Sequence, residues 1–153
     1  MINYTEKEQL LMLKIIEQDI PYFIMGSKRF EYAKDDSDLD ICIYFDRNKP
    51  TPDFLKDIET FDFRNVPQNG YSGKDEENTI LLHSLKLNVH LLMILNPEDY
   101  KEKEEQHRKV ETMLHFNPNM RYLIRYLKKE YRLSGKTIYS MLVKGCLNSD
   151  EVL

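Results

Sequence analysis

The chain is poor in cysteine, with only Cys42 and Cys146 among its 153 residues. No CxxC pair occurs, so neither a cysteine-based zinc signature nor a disulfide framework is available. Cys42 lies inside an apolar run and reads as a small buried hydrophobe. No stretch reaches the roughly 18 apolar residues of a membrane span, and the polar start MINYTEKEQ has no signal-peptide core. The expectation is a cytoplasmic protein without a membrane partner. Positive charge is not in excess: 22 Lys and Arg against 26 Asp and Glu leave a net charge of −4. That disfavours coating nucleic acid by bulk charge, but leaves room for a local basic patch or a small anion held through a metal. Internal repeats and low-complexity tracts are absent too, which excludes solenoid architectures.

What the chain has is the composition of an ordinary globular protein, 41% hydrophobic and 31% charged, at a length that suits a single domain over 1–153. Residues 5–18 predict a helix with a broad apolar stripe. Thr5 and Glu8 form a capping box at its start, and Pro21 ends it. YFIM (22–25) and LDICIYF (39–45) predict strands, the second central in a sheet. Between them, Gly26-Ser27 stops the first strand, and a polar segment to Asp35 has room for one helical turn. Residues 53–60 predict a short helix and 61–66 a short alternating strand. Residues 68–78 predict a mobile surface loop. TILLHSL (79–85) and LNVHLLMIL (87–95) predict a hairpin turning tightly at Lys86. From Pro97 the pattern is helical, over 97–116, 118–132 and 134–147. The expected fold is α+β: a mixed sheet flanked by helices over 1–97, with a C-terminal helical extension over 98–153.

The chemistry concentrates in Tyr22–Phe45. Asp36, Asp38 and Asp40 alternate, so on a strand they share a face, and carboxylates so placed repel unless a cation lies between them. Gly26 lets the backbone approach a ligand closely, and exposed N–H groups at Gly26-Ser27 suit phosphate oxygens. Met25-Gly26-Ser27, about ten residues, then Asp38-Leu39-Asp40-Ile41 resembles the pattern of the nucleotidyltransferase superfamily, which includes DNA polymerase beta-like and kanamycin-nucleotidyltransferase-like enzymes. The likeness is strongest over 20–46 and looks closest to small stand-alone bacterial and phage forms. It implies Asp38 and Asp40 as ligands of Mg²⁺ or Mn²⁺, and Gly26 and Ser27 as the turn that holds the phosphates of a nucleoside triphosphate. The reaction implied is in-line attack of an acceptor hydroxyl on the α-phosphate, with pyrophosphate leaving. Lys28 and Arg29, next to the turn, are candidates to meet the β- or γ-phosphate.

One part of the pattern is missing. Active members carry a third carboxylate on a later strand, and the corresponding strand here, LNVHLLMI, has none. Asn88 takes that position by pattern, as an uncharged amide ligand; His90 follows on the same face and is a candidate proton acceptor. The alternatives are therefore an active transferase and a catalytically impaired nucleotide-binding or regulatory module of the same fold. The acceptor is open among a protein hydroxyl, a small molecule and an RNA end. With little room for an acceptor domain, docking falls to the helical tail, the 68–78 loop, a partner protein or a second copy of the chain. Arg121, Arg125, Lys128 and Arg132 are spaced to share a helix face, which reads as a triphosphate or RNA stripe, or as a solvated surface. Ser134-Gly135-Lys136-Thr137 is not a P-loop, because Glu130 stands where that motif needs glycine. His107 and His115 have no ligand neighbours in sequence.

Overall fold

A computed structural model of the chain describes residues 2–34, 36–49, 51–66 and 78–145. Most of the loop expected at 68–78, the end of the last predicted helix and Cys146 lie outside the described residues. The described elements are α1 (Glu6–Glu17), β1 (Tyr22–Met25), α2 (Gly26–Arg29), β2 (Leu39–Tyr44), α3 (Pro52–Thr60) and β3 (Arg64–Asn65), then β4 (Thr79–Ser84), β5 (Val89–Ile94), α4 (Pro97–Phe116), α5 (Met120–Glu130) and α6 (Gly135–Val143). They form a mixed α+β fold with one five-stranded sheet, ordered β1-β2-β5-β4-β3. β2 and β5 run parallel; the other neighbouring pairs are antiparallel. Among the described residues, no helix is long and apolar enough to cross a membrane.

The helix starts follow from local chemistry. The Thr5 hydroxyl accepts from the Glu8 amide at 3.1 Å, and the Glu8 carboxylate accepts from the Thr5 amide at 2.8 Å. This reciprocal box satisfies two N–H groups that the helix cannot pair. At α4, the Asn96 side chain accepts from the Glu98 and Asp99 amides, and Pro97 takes the first position, where its missing N–H costs nothing. Ser134 caps α6 by accepting from the Thr137 amide.

Alternation along the central strands divides the core. Leu39, Ile41 and Ile43 of β2 and Val89, Leu91 and Met93 of β5 pack under Leu11 and Ile15 of α1 and Phe54 of α3. On the opposite face, Cys42 and Ile94 meet Phe23 and Tyr100 of α4. A second cluster joins Val110 and Leu114 of α4, Met120 and Ile124 of α5 and Ile138 and Leu142 of α6 to Phe30 and Tyr32. The C-terminal helices thus pack onto the segment that follows β1. Apolar residues cover the second face only in part, and its uncovered end carries Asp38 and Asp40.

Three local expectations change. The strand predicted at 61–66 shrinks to Arg64–Asn65, because its first half terminates α3: the Phe61 amide donates to Asp57 O, and Asp62 adopts φ 56°. Gly26 opens α2 directly, with no intervening loop. The hairpin turn spans residues 85–88 rather than Lys86 alone, with Asn88 left-handed at φ 57°.

Candidate functional site

The site is built from a row of side chains across three adjacent strands. Asp40 on β2 pairs in register with His90 on β5, and His90 with His83 on β4. Side chains on laterally paired residues project to one face, so an Asp–His–His row forms across the sheet. Asp38, just ahead of β2, shares the face of Asp40. His90 Nδ1 contacts the Asp38 carboxylate directly and lies 3.4 Å from an Asp40 oxygen. The His83 and His90 rings stack with centroids 4.2 Å apart. One donor atom each from Asp38, His83 and His90 lie within 4.8 Å of one another.

Protonation follows from these contacts. Hydrogen bonds to Asp38 and Asp40 raise His90 to about 9. The same hydrogen bond with His90 lowers Asp38, while burial raises Asp40 above the ordinary carboxylate value. At neutral pH, with no metal bound, His90 is an imidazolium donating to two aspartates. In that state it holds a proton between the two aspartates.

Gly26 is fitted to this cluster. It adopts φ +72°, and a Cβ there would lie 2.4 Å from Asp40 Oδ2. Both the backbone conformation and the contact require glycine. Gly26, Asp38, Asp40 and His90 open into a cleft of about 650 Å³, within the range of roughly 300–1,000 Å³ usual for small-molecule sites. Its far wall comes from the C-terminal helices and brings Lys103, Lys128, Lys136 and Lys144 together with Asp99 and Glu102. Two aspartates on one wall and a net-positive set of side chains on the other suit a ligand carrying anionic groups and a cation together.

Other residues singled out from sequence lie elsewhere. Lys28 pairs at 3.1 Å with Glu8, whose carboxylate is 2% exposed. Removing that lysine would strand a buried charge, so its role is structural. Arg29 pairs with Glu111 at 2.8 Å and donates to Ile24 O. Neither cation lines the cleft, nor does Ser27; Gly26 alone of the Gly-Ser turn does so. Asn88 donates its side-chain amide to Asp36 O at 3.3 Å and does not line the cleft. The register places His90, not Asn88, opposite Asp40.

The helix stripe is also resolved into contacts. Arg121 Nε donates to Phe30 O at 2.7 Å, and the Arg125 guanidinium donates twice to Tyr32 O. These arginines tether the segment after α2. Lys128 instead stands 5.0 Å from the Tyr32 ring centroid and faces the cleft. His107 forms part of the cleft floor among Phe23, Phe30 and Tyr139 rings, and its Nδ1 donates to Lys103 O at 2.8 Å. Burial lowers it to about 3, so it is neutral.

Sequence reasoning did not point to His83 or to Lys103, Lys136 and Lys144 as site residues; of the cleft lysines it offered only Lys128, within the helix stripe. The signal for His83 was present: centring the hairpin between Lys86 and Leu87 puts His83 opposite His90. Neither a scan against protein-family models nor a search of curated proteins finds a match to this chain.

Proposed function

We propose that this chain is a divalent-metal-dependent nucleotidyltransferase, moving a nucleoside monophosphate from a nucleoside triphosphate to a hydroxyl acceptor. The observation that carries this reading is the pairing of Asp38 and Asp40, cleared by Gly26, with a lysine-lined wall across one cleft. The carboxylates suit a divalent cation because both project from one face and neither is matched by an arginine or lysine ion pair among the described residues. Asp38 and Asp40 would hold Mg²⁺ or Mn²⁺, which neutralises phosphate charge when bound. Lys128, Lys136 and Lys144 line the facing wall and would meet phosphate oxygens. The bond formed joins the acceptor oxygen to the α-phosphorus; the bond broken releases pyrophosphate. The acceptor proton leaves to water in the cleft as the new bond forms.

One observation favours a second reading, a nucleotide-binding regulatory module. His90, as an imidazolium against both aspartates, already supplies the positive charge that a cation would bring. Triphosphate labelled at the α-phosphorus separates the two. Transfer of label to an acceptor with stoichiometric pyrophosphate, lost in Asp40→Asn, supports the transferase. Binding without transfer across the four triphosphates and both metals supports the module.

A further inference from the structure

The donor set does not match a magnesium site. Mg²⁺ takes oxygen ligands in near-ideal octahedral geometry and keeps much of its water. Here two imidazoles flank the carboxylates, contributed in register by β4 and β5. Imidazole nitrogen favours first-row transition ions over Mg²⁺, with affinity generally rising from Mn²⁺ towards Cu²⁺. We infer that Asp38, His83 and His90 form a mixed nitrogen–oxygen site selective for a first-row transition-metal dication over Mg²⁺. The inference deepens the proposed function by naming its ion, and rests on that reading's assignment of Asp38 as a cation ligand.

The geometry supports one shared ion. The three donor atoms lie within 4.8 Å of one another. A tetrahedral ion with ligands at about 2.0–2.1 Å sets its donors roughly 3.3 Å apart. Closing the difference takes movement on the order of an ångström at the ends of half-buried side chains. An ion entering here displaces the proton held between His90 and Asp38 and parts that pair to ligand spacing, while the stacked ring brings His83 beside them. Asp40, 3.4 Å from His90 Nδ1, is placed to contribute a further oxygen. Asp38 and His90 line the cleft and His83 stands beside them on β4, outside its lining, so three protein ligands around one ion leave a position on the cleft side for water or a phosphate oxygen.

His83 separates this inference from its rival. If His90 merely pairs with the aspartates, His83 is a stacking neighbour and its removal leaves metal binding unchanged. The experiment uses the full chain without nucleotide: equilibrium dialysis against Zn²⁺ in excess Mg²⁺, and visible d–d absorption of the Co²⁺ form. The expected result is one equivalent of Zn²⁺ retained against a hundredfold excess of Mg²⁺, and Co²⁺ bands of a mixed nitrogen–oxygen site. His83→Ala and His83→Gln, checked for native circular dichroism, should each weaken Zn²⁺ binding by about tenfold or more and shift the Co²⁺ bands. Displacement of Zn²⁺ by equimolar Mg²⁺, or unchanged Zn²⁺ affinity in both folded variants, overturns the inference. Mg²⁺-dependent triphosphate binding without Zn²⁺ retention sinks this inference alone. Zn²⁺ retention without triphosphate binding upholds it and sinks the transferase reading.

Discussion

Replacing Gly26 by alanine tests how closely the backbone approaches Asp40. Gly26 has φ +72°, and an L-residue there costs about 1–2 kcal/mol. The added Cβ would also lie 2.4 Å from Asp40 Oδ2 and 3.3 Å from its Cγ, while Asp40 Cβ, at 3.5 Å, is at ordinary contact. The carboxylate must therefore swing away, giving up its place beside His90. The two costs separate in a double-mutant cycle. Asp40→Ala deletes Oδ2 and Cγ, so in that background Gly26→Ala costs only the backbone term. In the native background the cost rises by about 1 kcal/mol, within the usual coupling range of roughly 0.5–3 kcal/mol for residues in contact. Urea unfolding followed by circular dichroism measures all four variants. For a chain of this length the backbone term alone corresponds to a midpoint fall of about 2–8 °C on heating. Divalent-metal binding by Gly26→Ala should weaken at least tenfold, since a ligand is displaced. Equal destabilisation in both backgrounds, within about 0.4 kcal/mol, with metal binding intact, would refute the close approach.

His107 should make the protein acid-sensitive. Its folded pKa, near 3, lies below the ordinary 6.5, so its stability contribution is complete above pH 6.5 and is lost as pH falls towards 3. His107→Phe should lessen the loss of stability between pH 7 and pH 4 by about 3 kcal/mol, read as the difference between denaturation series. Arg121→Ala with Arg125→Ala removes charged donors from the Phe30 and Tyr32 carbonyls. It should cost about 2–4 kcal/mol and raise hydrogen exchange over residues 30–33, at both low and moderate salt. An effect confined to nucleotide affinity would return these arginines to the ligand-binding role considered from sequence.

The parts of this fold legible in sequence are those that local chemistry decides. Thr5 and Glu8 announced a capping box, and the box is present. Pro97 and Pro21 marked helix boundaries, and the alternation through Leu39–Ile43 gave a strand buried on one face with Asp38 and Asp40 on the other. Register was harder. The family pattern put Asn88 in line with the aspartates, whereas the parallel pairing of β2 with β5 sets His90 opposite Asp40, and the turn over residues 85–88 sets His83 opposite His90. Long-range pairing was not legible at all. Lys28 finds its partner in the buried Glu8 of α1, and Arg121 finds the Phe30 carbonyl, across sequence distances that no local pattern encodes. The lysines of the cleft sit on helices that read from sequence as an appendage. Packing of α4 over the sheet, with α6 held against α4 and α5, makes them a wall of the site.

The central claim is that Asp38 and Asp40 hold a cation through which a nucleoside triphosphate binds. Calorimetric titration of a non-hydrolysable triphosphate analogue, with and without Mn²⁺, into the native chain and Asp38→Asn/Asp40→Asn tests it most directly. The account predicts binding that requires Mn²⁺ and vanishes in the folded double variant. Binding of equal affinity in the double variant, or binding indifferent to the metal, would contradict it.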